Sequence, residues 1–452
     1  MRRSHTAGGD LQAAPSRDTR RLFFQNVLPA MLAFAFSGVY AIVDGLFIGQ
    51  NVGDIGLAAI NVAYPITAFI QAVGTGVGMS GAIWVSTAMG QKDTAAQRRY
   101  LGGALQLLLV CCAAVTALTS LLAVPLLQMF GASGSMLALA QQYIRVIALG
   151  ASFQLLATGM VPLCRCFNGA GVAMGAMIAG FLTNTVLDWL FVSVYSWGMT
   201  GAAVATVLGQ GVTVLPCLWH LARKKALKAL AVRPQPGAVW LRLGHVGLSP
   251  FGLTMSPNIV IIIMNRAALH YGGSEAVACY AVVSYVACVV QLLLQGIGDG
   301  CQPLISRSSG AGDHHSVVSL RGMVYRFSCL VAVLGALAVF LLRRQLPALF
   351  GVSGGLAPQV ASVLSVFCLG FLPMALLRVS TSYFYAVQQN RSAYLLIYSE
   401  PVLLALLAGL LLPGLLGLGL TGVWWSIPAE QLLLAALGLW LVYRRQVLSG
   451  QQ

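Results

Sequence analysis

The stretch from Gly76 to Asp93, GVGMSGAIWVSTAMGQKD, returns 220 residues later as Gly296 to Asp313, GIGDGCQPLISRSSGAGD. Gly76, Gly78, Ser86, Gly90 and Asp93 recur without a gap as Gly296, Gly298, Ser306, Gly310 and Asp313. The register extends outward. Gly53, Ala58, Val62 and Gln71 recur as Gly273, Ala278, Val282 and Gln291, and Phe130, Gly131, Ser133 and Gly134 as Phe350, Gly351, Ser353 and Gly354. After one inserted residue, Gly198, Thr200, Gly201 and Gln210 recur as Gly419, Thr421, Gly422 and Gln431. A constant offset over such distances marks a duplicated unit, so the working site is expected between two similar halves.

Composition places both halves in a membrane. The 452 residues are 58% apolar and 8% charged, whereas soluble domains carry about 25% charged residues. Apolar runs of about 20 residues, broken by Gly and Pro, read as spanning helices. No long stretch alternates in the two-residue rhythm of a barrel. Twelve spans are expected: 22–48, 56–88, 100–124, 138–160, 172–194, 201–221, 244–270, 276–303, 318–342, 359–384, 393–413 and 421–443. The fold class is thus an all-α integral membrane protein, two parallel six-helix repeats. Its expected divisions are a cytoplasmic tail 1–21, an N-lobe 22–221, a basic linker 222–243, a C-lobe 244–443 and a tail 444–452. The linker carries Pro234 and Pro236 and could hold a short amphipathic helix on the inner leaflet.

The net charge of +15 is spread over loops, which speaks against nucleic acid. Arg20, Arg21, Lys92, Arg98, Arg99, Arg165, the 223–242 group, Arg307, Arg321, Arg391, Arg444 and Arg445 all fall on one side, with Arg343 and Arg344 the exception. Basic loops face the cytoplasm, so both termini are expected inside. Six spans per half make the repeat parallel, which places a substrate path between the halves. The ten cysteines and six histidines show no metal or disulfide pattern, so no cofactor is expected.

Five acids fall inside spans: Asp44, Asp188, Asp299, Glu400 and Glu430. A charge at the bilayer centre costs about 2.5–3.5 kcal/mol even on a lenient scale. Such groups persist where they pair, face water or bind a proton or cation. Tyr40 and Ser37 precede Asp44 on its helix face, and Asn184, next to Thr183, precedes Asp188 by one turn. Asp44, Asp188 and Asn184 are therefore the candidate cation-coupling groups, for H⁺ or for Na⁺. Tyr40, Ser37 and Thr183 join them as cavity residues, and Pro29 is a candidate hinge. Asp299 lies among Gly296, Gly298 and Gly300, whose exposed backbone is expected to satisfy it. Met264 stands where the repeat would place a second Asp44, so the cation site belongs to the first half.

Tyr40-Ala-Ile-Val-Asp44-Gly-Leu-Phe-Ile-Gly49 with Gly56-Leu-Ala-Ala59, Pro29 upstream, Asn184-Thr-Val-Leu-Asp188 and Gly198-Met-Thr-Gly-Ala-Ala-Val-Ala-Thr206 resemble the multidrug and toxic compound extrusion (MATE) family. So do Gly296-Ile-Gly-Asp-Gly-Cys-Gln-Pro-Leu304 and Gly419-Leu-Thr-Gly-Val-Trp424. The resemblance implies V-shaped lobes and a monomeric bacterial inner-membrane antiporter. It would export lipophilic, cationic organic compounds in exchange for H⁺ or Na⁺. Asp44, Asn184 and Asp188 match that family's N-lobe polar site; its fourth-helix Arg…Gly-Asn pattern appears as Arg165-Cys-Phe-Asn168-Gly169, with Asn and Gly exchanged, which adds Asn168 to the cavity residues. Span 7 lacks the glutamate that some branches carry, so the resemblance supplies no cation site in the C-lobe. The alternatives are a lipid-linked saccharide flippase and, from another class, a polytopic membrane enzyme.

Overall fold

In lipid every backbone amide must be satisfied within its own segment, which leaves helices as the solution for a chain of this composition. The computed structural model describes residues 17–231, 237–350 and 355–449, and no strand occurs among them. Helix α1 covers Arg17–Val52, α2 Asp54–Gly90, α3 Thr94–Met129, α4 Gly134–Cys166, α5 Ala170–Asp188 and α6 Gly198–Arg223. The second half follows with α7 Ala238–Gly310, α8 His314–Leu342, the single turn α9 Leu346–Leu349, α10 Leu356–Ala386, α11 Asn390–Leu406 and α12 Gly419–Ser449. Eleven described helices are long and apolar enough to cross a membrane. One of them, α7, is two spans joined at Gly273, where the backbone leaves helical geometry at φ 69. Ten of the twelve expected spans fall within these helices, and the other two, 172–194 and 393–413, run past the ends of α5 and α11 into π-helix over Trp189–Val194 and Leu407–Leu415. Helix α1 begins at Arg17, inside the expected tail, most of which lies outside the described residues.

The duplication is visible in the backbone itself. Gly53 (φ 84, ψ −172) breaks α1 from α2 as Gly273 (φ 69, ψ −164) breaks the two arms of α7. A residue with a Cβ is strained at these angles, so both copies keep glycine. Asp93 caps α3 by accepting from Ala96 N at 2.9 Å, and Asp313 caps α8 by accepting from Ser316 N at 2.9 Å. The bonds from Ser316 hold the Asp313 carboxyl below the ordinary aspartate range. The turn after α4 has Asn168 at φ 61, and the turn after α10 has Gln388 at φ 59.

The one-residue change of offset has a structural address. After α5 the chain widens into π-helix over Trp189–Val194, and after α11 over the longer Leu407–Leu415. A π turn absorbs an extra residue without breaking the span. The linker holds a 3-10 helix, Ala226–Ala231, whose Ala226 and Ala229 are buried. It lies on α3, where Gln106 Nε2 donates to Leu230 O at 3.4 Å. Pro234 and Pro236 are outside the described residues.

Each half packs its own apolar core. Ile70, Leu101, Leu108 and Ile144 are fully buried in the first, and Phe371, Leu364 and Phe384 in the second. Phe23, Val27, Met79 and Ile83 from the first half enter the second core. The outer surface is apolar, with Leu121, Leu149, Leu241 and Leu432 fully displayed, as a lipid-facing surface requires.

The halves meet near the end where the basic loops gather, and they meet backbone to backbone. A Cβ on Gly90 would lie 2.0 Å from Arg307 O, and one on Gly310 would lie 2.2 Å from Thr87 O. These two contacts are the same contact seen from either copy. Deeper along the helices, Gly76 and Gly247 face each other's carbonyl oxygens, and Gly296 and Gly300 lie on α1 at Ala30–Met31 and Asn26–Val27. Gln388 Nε2 donates to Thr87 Oγ1 at 3.1 Å across the same seam. Small residues allow this approach in a setting where no apolar gain separates helix–helix from helix–lipid contact.

Within the first half, a Cβ on Gly78 would lie 2.2 Å from Gly159 O, whereas one on Gly171 meets nothing within 4 Å. Gly78→Val is expected to destabilise the solubilised protein by about 1–3 kcal/mol or more through overpacking, and Gly171→Val to leave it nearly unchanged. Thermal midpoints of the two variants check this.

Candidate functional site

Helices α1, α4, α5 and α6 bring one polar cluster together inside the first half. Asp188 closes the α-helical part of α5, and Asn184 lies one turn before it; they are 1% and 2% exposed. Gly209 of α6 allows α5 this close, since a Cβ there would lie 2.9 Å from Asn184 Cβ. Asp44 approaches from α1, and its carboxyl and that of Asp188 are within hydrogen-bonding reach of each other. One turn before Asp44, Tyr40 stacks on Phe181 of α5 with ring centroids 5.1 Å apart and planes 11° apart. Asn184 Nδ2 donates to Thr206 Oγ1 at 3.4 Å, and Thr206 donates to Ala202 O at 3.0 Å. The hydroxyls of Tyr40 and of Tyr143, from α4, also converge on Thr206.

This cluster is rich in acceptors and poor in donors. Both Asp188 oxygens, Asp44 Oδ1 and Asn184 Oδ1 are buried without a hydrogen-bond partner. Among the described residues no basic side chain acts on either carboxyl. Two ionised carboxylates in contact away from water are mutually unfavourable, and a shared proton or a cation relieves them. That is the chemistry the arrangement offers.

The structure thus joins Asp44, Asp188, Asn184 and Tyr40. Ser37 and Thr183 are half-buried on α1 and α5. Pro29 lies in continuous helix, in the part of α1 that Gly296 and Gly300 clamp. Asn168 is elsewhere. It forms the exposed turn between α4 and α5, at the far end of α5 from Asp188, about 30 Å away by helical rise. Its left-handed backbone, which asparagine tolerates, accounts for the residue there without a cavity role. Tyr143 and Thr206 complete the cluster and were not singled out from the sequence. Thr206 stood in a quoted motif, but only the packing of α6 on α5 turns it inward.

The other three acids sit in the second half. Asp299 accepts from Tyr385 at 2.6 Å. Its partner is therefore a tyrosine hydroxyl, with Gln295 in support, rather than the glycine backbone around it. Arg165 of the first half is the positive charge it faces. Glu400 pairs with Arg378 at 2.9 Å, and the two side chains are 4% and 5% exposed. Ser256 donates to Glu400 at 2.8 Å. Glu430 accepts from Gln431 Nε2 at 3.0 Å. Where the repeat would place Asp44 and Asp188 again, Met264 and Ala408 are buried.

The MatE family model matches residues 29–190 and 253–408, more than half of the chain. The chain belongs to the MatE family. Multidrug export protein MepA of Staphylococcus aureus strain MRSA252 is 22% identical over 433 residues, covering 92% of each chain. MepA of Staphylococcus saprophyticus is 23% identical over 424 residues with the same coverage. Among solved structures, an outward-facing multidrug resistance MATE transporter of the MOP superfamily superimposes with TM-score 0.87 at 20% identity, over 96% of this chain and 97% of that one. A MOP superfamily transporter from Pyrococcus furiosus, described by the reversed polarity of its binding pocket, matches with TM-score 0.87 at 20% identity, over 95% and 97%. Members of the MatE family are membrane transporters, so the polytopic-enzyme alternative falls.

Breaking the buried ion pair from one side leaves an uncompensated charge, at a cost of about 3–5 kcal/mol. Arg378→Leu is expected to lower the thermal midpoint of this MatE transporter sharply, and adding Glu400→Leu to recover much of the loss. A double-mutant cycle on solubilised protein reads both.

Proposed function

We propose that this MatE transporter is a secondary antiporter that exports lipophilic, cationic organic compounds in exchange for H⁺ or Na⁺. The observation that carries the reading is the Asp44–Asp188 carboxyl pair, buried in the first half with unpartnered oxygens and no basic neighbour. The names of the MepA relatives agree with drug export.

Both ligands act through the same charge. A proton or Na⁺ neutralises the pair, and Asn184 Oδ1 adds an oxygen ligand for a metal cation. With the pair ionised, the first half presents negative charge to a cationic substrate. Coupling needs the two ligands to prefer different arrangements of the halves. The basic end is closed by the Gly90–Arg307 and Gly310–Thr87 crossings. The bias of basic residues to the loops at this end supports a reading in which it faces the cytoplasm at a bacterial inner membrane, with both termini inside; the working unit in this reading is one chain.

Wild-type protein in inverted vesicles is expected to move ethidium under an imposed pH or Na⁺ gradient, and the gradient that works identifies the ion. Asp44→Asn and Asp188→Asn should insert normally and lose at least ten-fold in gradient-driven movement. Undiminished transport in the double variant would overturn the reading. Absence of dye movement by wild type under either gradient would move the assignment to lipid-linked saccharides, tested by flipping of a labelled polyprenyl-linked sugar.

A further inference from the structure

The second half differs chemically from the first at the crossing of its last two spans. In the first half α5 and α6 touch through Gly180 and Gly209, where a Cβ on either glycine would lie within 2.8 Å of the other's carbonyl oxygen. The repeat carries these two positions to Glu400 and Glu430. Two facing glycines have become two buried carboxyl side chains, 3% and 1% exposed.

Their charges do not balance. Among the described residues Arg378 of α10 is the cation acting on the cluster, and Glu400 of α11 takes it at 2.9 Å. Glu400 is then fully served. Its Oε1 accepts from Arg378 and, at 3.4 Å, from Gln431 Nε2, and its Oε2 accepts from Ser256 on the first arm of α7 at 2.8 Å. Glu430 of α12 has no counter-ion left. Its Oε2 accepts from Gln431 Nε2 at 3.0 Å, while its Oε1 is buried without a partner. The amide oxygen of the same Gln431 is also buried without a partner.

Two orphaned acceptors and one surplus negative charge call for the same remedy. A proton on Glu430 cancels the charge and turns Oε1 into a donor. An acid and a primary amide then complement one another, the amide N–H giving to one carboxyl oxygen and the acid O–H available to the amide oxygen. A metal cation is a poorer fit, because the Arg378 guanidinium stands in the cluster and only two oxygens are free, far below the six or more a hard cation collects. Nothing equivalent exists in the first half, and Asp44 and Asp188 lie at other positions of the repeat.

We propose that the second half carries a proton-binding site of its own, with Glu430 as the proton-holding carboxyl, Gln431 as its amide partner and the Arg378–Glu400 pair as fixed neighbouring charge. The proton comes from water, adds to one carboxylate oxygen and breaks no other bond. The site stands apart from the Asp44–Asp188 pair and does not rest on the antiport reading.

Infrared spectroscopy of the full chain in lipid vesicles at neutral pH tests this without requiring transport. Protonated carboxyl groups absorb apart from carboxylates and amides. In an Asp44→Asn/Asp188→Asn background, Glu430→Gln is expected to remove a protonated-carboxyl band equivalent to one group per chain. Gln431→Leu is expected to leave that band in place but shift it to higher frequency, since the carboxyl loses its amide partner. A protonated band untouched by Glu430→Gln, or the loss of a carboxylate band instead, overturns the proposal. Should Glu430→Gln fail to fold, the Gln431→Leu shift decides, and an unshifted band overturns it equally.

Discussion

Backbone contact between the halves is the constraint on which the rest depends. At Gly90 and Gly310 the second and seventh helices approach so closely that a methyl group on either would strike the other's main chain. Because each contact is the repeat image of the other, the interface is self-complementary, like that of a symmetric dimer joined into one chain. The glycine crossings themselves hold no side chains to interlock, while Phe23, Val27, Met79 and Ile83 of the first half reach into the second core beside them. Glycine crossings let two rigid bodies separate at one end and close at the other at modest cost, which is what an alternating path between repeats requires.

The symmetry of the backbone makes the asymmetry of the chemistry meaningful. Both halves use the same breaks, caps and turns, so an acid present in one and absent from the other has not been placed by the fold. In the first half, carboxyls occupy the C-terminal parts of α1 and α5, and glycines occupy the α5–α6 crossing. In the second half that pattern is inverted: Met264 and Ala408 replace the acids, and Glu400 and Glu430 replace the glycines. Glu400 is matched by Arg378, whereas no cation among the described residues acts on Asp44 or Asp188. The same type of buried group is therefore structural in one place and available for ligand in another, and the difference lies in the partner.

Much of the architecture could be read before any coordinates. The fixed offset between Gly53 and Gly273, or Asp93 and Asp313, reports positive backbone angles and helix caps that depend on local residue type. Even the single inserted residue proved informative, since it marks the π turns after α5 and α11. The polar face of Asn184 and Asp188 was legible because residues one turn apart share a side. Asp44 and Asp188 were grouped from the sequence; what stayed hidden was the partner of each acid in the second half. Tyr385 lies 86 residues from Asp299, and Arg378 lies 22 residues from Glu400. Nothing along the chain says which faces meet. Asn168 shows the converse, a motif residue whose place is explained by the turn it makes.

Polar density in the spans follows from this division of labour. A lone carboxyl in lipid is expensive, and the chain meets that cost in three ways: a tyrosine hydroxyl for Asp299, a guanidinium for Glu400, and a second carboxyl for Asp44. The first two fill the acceptor with donors that the fold supplies permanently. The third leaves it short of positive charge, so occupancy by a proton or cation becomes part of the folded state's energy. A site of that kind feels its surroundings: any movement of α1 relative to α5 changes how far the two carboxyls are apart, and with it the affinity for whatever neutralises them. Linkage makes the relation reciprocal. Binding at the pair must therefore bias the position of α1, whose segment from Asn26 to Met31 is held against Gly296 and Gly300 of the second half. In the proposed antiport one helix would thus carry both the ligand and the seam.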